Sequence, residues 1–372
     1  MLRLVSCMSQ LFEEDGVFPI LDELFNRAVD LQTASQDDVS GAKFTRTEFR
    51  MLNGIQVIGI ELVKIILLTL PYLLAYGDSS FQQKASDMLE KTDIIASTPH
   101  PFEQTIDPYP HVMNDEAKPM RCASLIYILQ QQLQAEASNG WQLNFMPRIY
   151  DPALVGTNAP NEEADGEANG ETNGHTAAKA ITKHAFPSVT VPTEAISGTK
   201  ALFPEVFFSL YADQEIESVP TTANIASSLM RDTVVDTMNI MDFNRNIVAK
   251  FLNDIDCFWT RDTFVKRSTQ FDKLRDIPEG KPTWKPEDVT IDAVFSQLFQ
   301  LPAPEHRLVY YHSVITEMCK ISPQAIAPSL GRAIRYLFRS VDLMDMELHY
   351  RYMDWFAHHL SNFEFRWKWQ EW

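Results

Sequence analysis

Apolar side chains recur along this chain at i, i+3, i+4 and i+7, the spacing that lines one face of an α-helix. Leu21, Leu24, Phe25 and Ala28 follow that spacing, as do Cys122, Leu125, Ile126 and Leu129. So do Ile291, Val294, Phe295 and Leu298, and Leu308, Tyr311, His312 and Ile315. Two more faces run through Ile326, Leu330, Ala333, Ile334 and Leu337, and through Leu348, Tyr352, Trp355, Phe356 and His359. Start signals accompany them: Thr290 and Asp345 are candidate N-caps, and Ser322-Pro323 sets a hydroxyl before a proline suited to a first helical turn. Alternating, strand-like stretches are scarce. The expected fold is all-α, an α-solenoid of antiparallel helix pairs, each pair burying its face against the next. No fixed repeat period is visible, which favours HEAT-like units over tetratricopeptide or ankyrin ones.

The strongest apolar run, Ile55 to Leu74, approaches membrane-spanning length, yet it carries Glu61 and Lys64 near its middle and Pro71 near its end. The two charges stand at i and i+3, where they pair on one helix face, so the run reads as a buried core helix and no membrane association is expected. Asp151 to Ala180 differs in kind, with six acidic residues and no lysine or arginine before Lys179. Such a segment buries too little apolar surface to order itself. The expected division is a first helical block over 1–150, an acidic linker or loop over 151–200, and a second helical block over 201–372.

Composition narrows the function. The chain has 372 residues, is 45% hydrophobic and carries a net charge of −18. That charge repels phosphate backbones, so direct non-specific binding of RNA or DNA is disfavoured, and any nucleic acid served is expected to be held by another subunit. The four cysteines, Cys7, Cys122, Cys257 and Cys319, are far apart, form no CxxC pair and sit among apolar residues. They read as reduced thiols in a reducing compartment.

Several constellations invite chemistry and have plainer readings. Gly77-Asp78-Ser79 resembles a hydrolase nucleophile segment, but it precedes the helical pattern Phe81, Ala85, Met88, Leu89, so capping by Asp78 or Ser79 is the better account. His358 and His359 are adjacent, with Asp354 a turn back. Adjacent residues point about 100° apart on a helix, not at the i, i+4 spacing of a zinc-binding HExxH, and His359 falls on the apolar face. Arg261, Lys266, Arg267, Lys273 and Arg275 interleave with Phe264 and Phe271, the mixture of a single-stranded RNA groove, but in an acidic solenoid they read as a solvated helix face. Neither a glycine-rich phosphate loop nor a GxSxG elbow occurs. No catalytic residue, metal or cofactor is therefore expected. The residues singled out for partner docking are Phe363, Phe365, Arg366, Trp367, Lys368, Trp369 and Trp372, an aromatic stretch with basic spacers that is either an exposed patch or a seam for another helical domain.

Phe299-Gln-Leu-Pro-Ala-Pro304, followed by Trp355-Phe-Ala-His-His-Leu-Ser-Asn-Phe-Glu-Phe-Arg-Trp-Lys-Trp-Gln-Glu-Trp372, resembles the large subunit of the nuclear cap-binding complex. The likeness extends more weakly over Leu202 to Leu298, Leu11 to Gly16 and Ile60 to Tyr72. It implies HEAT-like domains of the initiation-factor-4G middle-domain type. It also implies a non-enzymatic scaffold that stabilises a small RNA-recognition-motif subunit, the subunit that grips the 7-methylguanosine cap. Capped RNA would be served indirectly, along with RNA export and decay factors, through mRNA processing, splicing, export and nonsense-mediated decay. The expected location is the nucleus, with shuttling to the cytoplasm. Against that family the chain reads as a fragment, beginning inside a first domain and ending at the junction to a third, and residues 41–59 read as an anomalous insertion from a misread exon boundary. The alternative is a free-standing helical adaptor in cytoplasmic translation or RNA decay, because one solenoid architecture hosts many functions.

Overall fold

The computed structural model describes residues 2–13, 15–37, 46–77, 79–147, 183–187, 190 and 202–371. Among these, the helices are α1 (Leu2–Cys7), α2 (Phe18–Asp37), α3 (Arg46–Tyr76), α4 (Phe81–Ser97), α5 (Leu125–Ser138), α6 (Ile225–Ile240), α7 (Arg245–Asn253), α8 (Pro286–Leu298), α9 (Leu308–Ile321), α10 (Pro323–Ser340) and α11 (Met346–Asn362). The fold is an all-α solenoid in which neighbouring helices bury one another's apolar faces. Among the described residues a two-stranded antiparallel sheet interrupts it, formed by β1 (Arg121–Ser124) and β2 (Val206–Ser209).

The apolar run becomes the core of the N-terminal half. Ile66, Leu67, Leu70 and Leu73 of α3 are fully buried, and α2, α4 and α5 pack around them. By length and hydropathy Gly54–Tyr76 could cross a membrane, but its apolar side is spent on this interior packing. Residues 46–59 form the first turns of the same helix. Gly59 lets α2 approach there, since an added Cβ would lie 3.2 Å from the Ala28 carbonyl oxygen. The expected ion pair forms: Lys64 contacts Glu61 and, at 3.0 Å, Glu205 beside β2.

The core is continuous from Val17 to Trp355, so helices on either side of the acidic segment share one interior. Gln132 of α5 donates to the Thr222 carbonyl at 2.7 Å and accepts from Ser228 of α6 at 2.7 Å. Asp292 of α8 accepts from the Ser209 hydroxyl at 2.9 Å and from the Leu210 N–H, and Arg231 of α6 donates to it at 2.8 Å. The Arg231 guanidinium also lies 3.9 Å from the Phe207 ring centroid. This buried cluster ties β2 to two helices.

Three local expectations are corrected. Cys122 does not sit on the helical face with Leu125, because it belongs to β1, opposite Phe208, and α5 begins only at Leu125. Thr290 is not an N-cap: Pro286 opens α8, and the buried Thr290 hydroxyl donates back to the Pro286 carbonyl at 2.9 Å. The residue at the N-cap of α4 is Ser80, not Ser79, and Asp78 lies outside the described residues. Asp345 does cap α11, its side chain accepting the Glu347 N–H at 2.9 Å. Ser322 precedes Pro323 as expected, but it caps α10 through its backbone carbonyl, which accepts the Ile326 N–H at 2.9 Å.

Candidate partner-docking surface

The C-terminal aromatic stretch is built on α11. Trp355 is fully buried, edge-on to Phe295 with ring centroids 4.8 Å apart. Tyr352 and Phe356 stack at 5.8 Å on the next turn of the helix. The helix ends after Asn362, where the Phe363 and Phe365 N–H groups both donate to the Leu360 carbonyl, at 3.1 and 2.8 Å. Glu364 and Phe365 then take left-handed backbone angles, φ 56° each, which non-glycine residues adopt only where surrounding contacts hold them. That reversal folds the stretch back along α11.

The docking candidates consequently part company. Trp367 turns inward, edge-on to Phe356 at 5.7 Å and beneath the Arg335 guanidinium at 5.2 Å, and Phe363 packs at 4.8 Å against His359. Phe365 and Trp369 face solvent at 61% and 50% exposure, linked by the Trp369 Nε1–H donating to the Phe365 carbonyl at 3.2 Å. Arg366 is exposed and pairs with Glu364 at 2.7 Å, and Lys368 is exposed beside them. Trp372 lies outside the described residues. Arg335 was missed by sequence reading, as was Arg351 of α11, which Glu347 orients at 2.9 Å. Only the i, i+4 spacing of Glu347 and Arg351 could have signalled the second.

The histidines are arranged for packing. The His358 ring faces His312 of α9 at 5.2 Å, whereas His359 stacks on Trp355 at 5.6 Å, as the angle between adjacent helical residues requires. Burial, and then the proximity of His358, push the His312 and His359 imidazoles down to about 4, so both are neutral at pH 7. Among the described residues, no three metal-donor side chains converge.

The basic stretch from Arg261 to Arg275 is turns and a short 3-10 segment rather than a helix face. Arg267 binds Asp254 at 2.7 Å and also Asp256, Phe264 packs against the core, and Phe271 lies 3.9 Å beneath the Arg332 guanidinium. Its aromatic rings are thereby engaged within the protein.

Residues 220–372 match the family described as MIF4G like. Nuclear cap-binding protein subunit 1 of Schizosaccharomyces pombe is 39% identical over 166 residues, which is 45% of this chain and 21% of that protein. Nuclear cap-binding protein complex subunit 1 of Saccharomyces cerevisiae is 33% identical over 175 residues, 45% of this chain and 20% of that protein. Nuclear cap-binding protein subunit 1 of Homo sapiens is 42% identical over 82 residues, 22% of this chain and 10% of that protein. The match spans about a fifth of the length of the two yeast relatives. This chain is thus a helical solenoid whose residues 220–372 match the MIF4G-like family and which is similar, over nearly half its length, to proteins named nuclear cap-binding protein subunit 1.

Proposed function

We propose that this chain acts as a scaffold within a nuclear cap-binding complex. It holds a small RNA-recognition-motif subunit in the form that grips the 7-methylguanosine cap, and so supports mRNA processing, splicing, export and nonsense-mediated decay. It catalyses nothing itself, resides in the nucleus and shuttles to the cytoplasm, and meets capped RNA only through its partner. Its organisation is a helical block over 1–150, an acidic segment over 151–200 and a second block over 201–372. Phe365, Trp369, Arg366 and Lys368 form the outward docking surface, and Phe363 and Trp367 support it from within. The observation that carries this reading is the identity to proteins named nuclear cap-binding subunit 1 across 45% of the chain. The net charge of −18 agrees with it, since such a surface suits protein partners better than RNA.

The test is capture on immobilised 7-methylguanosine, with and without purified small subunit. Retention of the chain only when the small subunit is present is expected. Retention without it, or no retention with it, overturns the proposal, and the latter outcome favours a free-standing adaptor.

A further inference from the structure

We propose that the outward face of α11 docks an amphipathic helix of a partner protein, one whose apolar row is flanked by lysine or arginine. Met346, Tyr350 and Met353 are 66%, 61% and 53% exposed, and Ala357 is exposed with them. At about 100° per residue these four side chains fall within about 60° of one another, on the side of α11 away from the fully buried Trp355. Leu343, in the 3-10 turn Val341–Leu343 that leads into the helix, is 45% exposed ahead of them. Single exposed apolar residues are ordinary on a protein surface, but a row of them in register along one helix marks an interaction face.

The spacing points to a helix as the occupant. Steps of four, three and four residues from Met346 to Ala357 are those of a coiled-coil seam, with a mean of about 3.5 residues, so the row runs straight enough to meet a second helix along its length. It extends for about 16 Å, roughly three turns, which suits apolar anchors from two or three turns of a partner. Methionine side chains adapt to what they meet, so the row accepts anchors of different shape.

Charge selects the partner. Glu347 and Asp354, seven residues apart, stand about 80° round the helix from the row and form an exposed acidic margin along one side, and exposed Asp342 precedes them. One Glu347 oxygen binds Arg351, which is buried and is the only lysine or arginine between Val341 and Asn362. On the opposite margin His349 lies edge-on to Tyr350 at 6.0 Å, and further round Phe356 carries Trp367 of the folded-back tail. The exposed bases nearest in sequence are Arg339, in the last turn of α10, and Arg366 and Lys368 on the tail, which reaches α11 from the Phe356 side. A facing helix with lysine or arginine on its matching flank therefore pairs with Glu347 and Asp354. A second copy of α11 supplies no exposed lysine or arginine there and brings carboxylates of its own, which opposes self-pairing.

The experiment displays on phage a library of helices about 20 residues long, enough to be helical alone, with leucine at heptad spacing and both flanks of that row varied among lysine, glutamate and glutamine. The whole chain selects from it, and the affinity of each recovered helix is read by fluorescence anisotropy. Expected are helices with lysine on one flank, a preference that disappears when the Asp342→Lys, Asp354→Lys double variant is the target. A loss of about tenfold or more is expected in the Met346→Ser, Met353→Ser double variant. Both variants alter exposed side chains, so unchanged melting certifies their fold, and Tyr350→Ser and Asp354→Asn, read singly, supply the comparisons if either melts lower. No recovered helix, recovery without a flank preference, or affinity unchanged in the methionine variant overturns the proposal. A parent dimer in sedimentation that the methionine variant abolishes would overturn it in favour of self-pairing.

Discussion

The guanidinium of Arg351 on α11 donates to the backbone carbonyl of Gln300 at 2.8 Å. The same side chain reaches the Leu298 carbonyl at 3.2 Å and the Pro302 carbonyl at 2.6 Å. The turn Phe299-Gln-Leu-Pro-Ala-Pro304 is thus wrapped around a cation from the helix that carries the other family-like motif. The two stretches that resemble the cap-binding large subunit are one structural unit.

Arg351 is buried together with the Leu298 carbonyl it reaches, so removing its donors leaves that group without replacement by water. Arg351→Met is expected to lower stability by about 2 kcal/mol, the cost of one such group together with the lost part-buried bonds to Gln300 and Pro302. Arg351→Lys should recover only part of it, because an ammonium lacks the planar fork that serves several acceptors at once. Urea denaturation of the three proteins measures both, and a methionine variant as stable as the parent refutes the assignment.

The helical faces and the Glu61–Lys64 pair were legible because each depends on neighbours three or four residues away. The same local logic found the Asp345 cap. What sequence reading missed is long-range. β1 and β2 are four residues each, and their pairing is set by contacts between distant segments, so the helical spacing of Cys122 with Leu125 misled. Thr290 resembled a cap because a hydroxyl before an apolar face is the usual signal, yet Pro286 starts the helix a turn earlier. At the docking surface, aromatic content was plain but direction was not. The left-handed turn at Glu364 and Phe365 involves no glycine to announce it, and it alone decides that Trp367 points inward while Trp369 points out.

A second prediction concerns the ion pair beneath β2. Burial pushes the Asp292 carboxyl up, and Arg231, the Leu210 N–H and the Ser209 hydroxyl pull it back. Asp292→Ala strands a buried guanidinium and should cost about 3–5 kcal/mol. Replacing both partners, Arg231→Met with Asp292→Leu, should regain part of that loss, since neither charge is then left unpaired although the Leu210 N–H and the Phe208 carbonyl lose their side-chain partners. Equilibrium denaturation provides the comparison, and a double variant no better than the single one counts against it.

Acid should weaken the fold through α9 and α11. His312 and His359 titrate at about 4 when folded, against about 6.5 in an unfolded chain. Between those values the unfolded state binds more protons, so stability falls as pH drops from about 6.5 towards 4. Asp232 acts oppositely: burial raises it to about 6 despite Arg3, so its contribution grows as pH falls from about 6 towards its unfolded value near 3.9. The histidine effect is therefore cleanest near pH 6 to 6.5. Melting temperatures at pH 7 and pH 6 should differ less in a His312→Phe, His359→Phe double variant than in the parent. An unchanged difference would exclude the two imidazoles as its source.

The aromatic stretch separates support from contact. Trp367 rests on Phe356 and Arg335, so Trp367→Ala should lower stability by about 2 kcal/mol through lost ring and cation contacts. Phe365→Ala with Trp369→Ala removes largely exposed rings, and stability should stay within about 0.5 kcal/mol. The proposed docking role requires this second variant, despite its intact fold, to lose small-subunit retention on immobilised cap. Unchanged retention alongside unchanged melting would assign the exposed pair to the surface without function, and leave the inward-facing Trp367 as a packing residue alone.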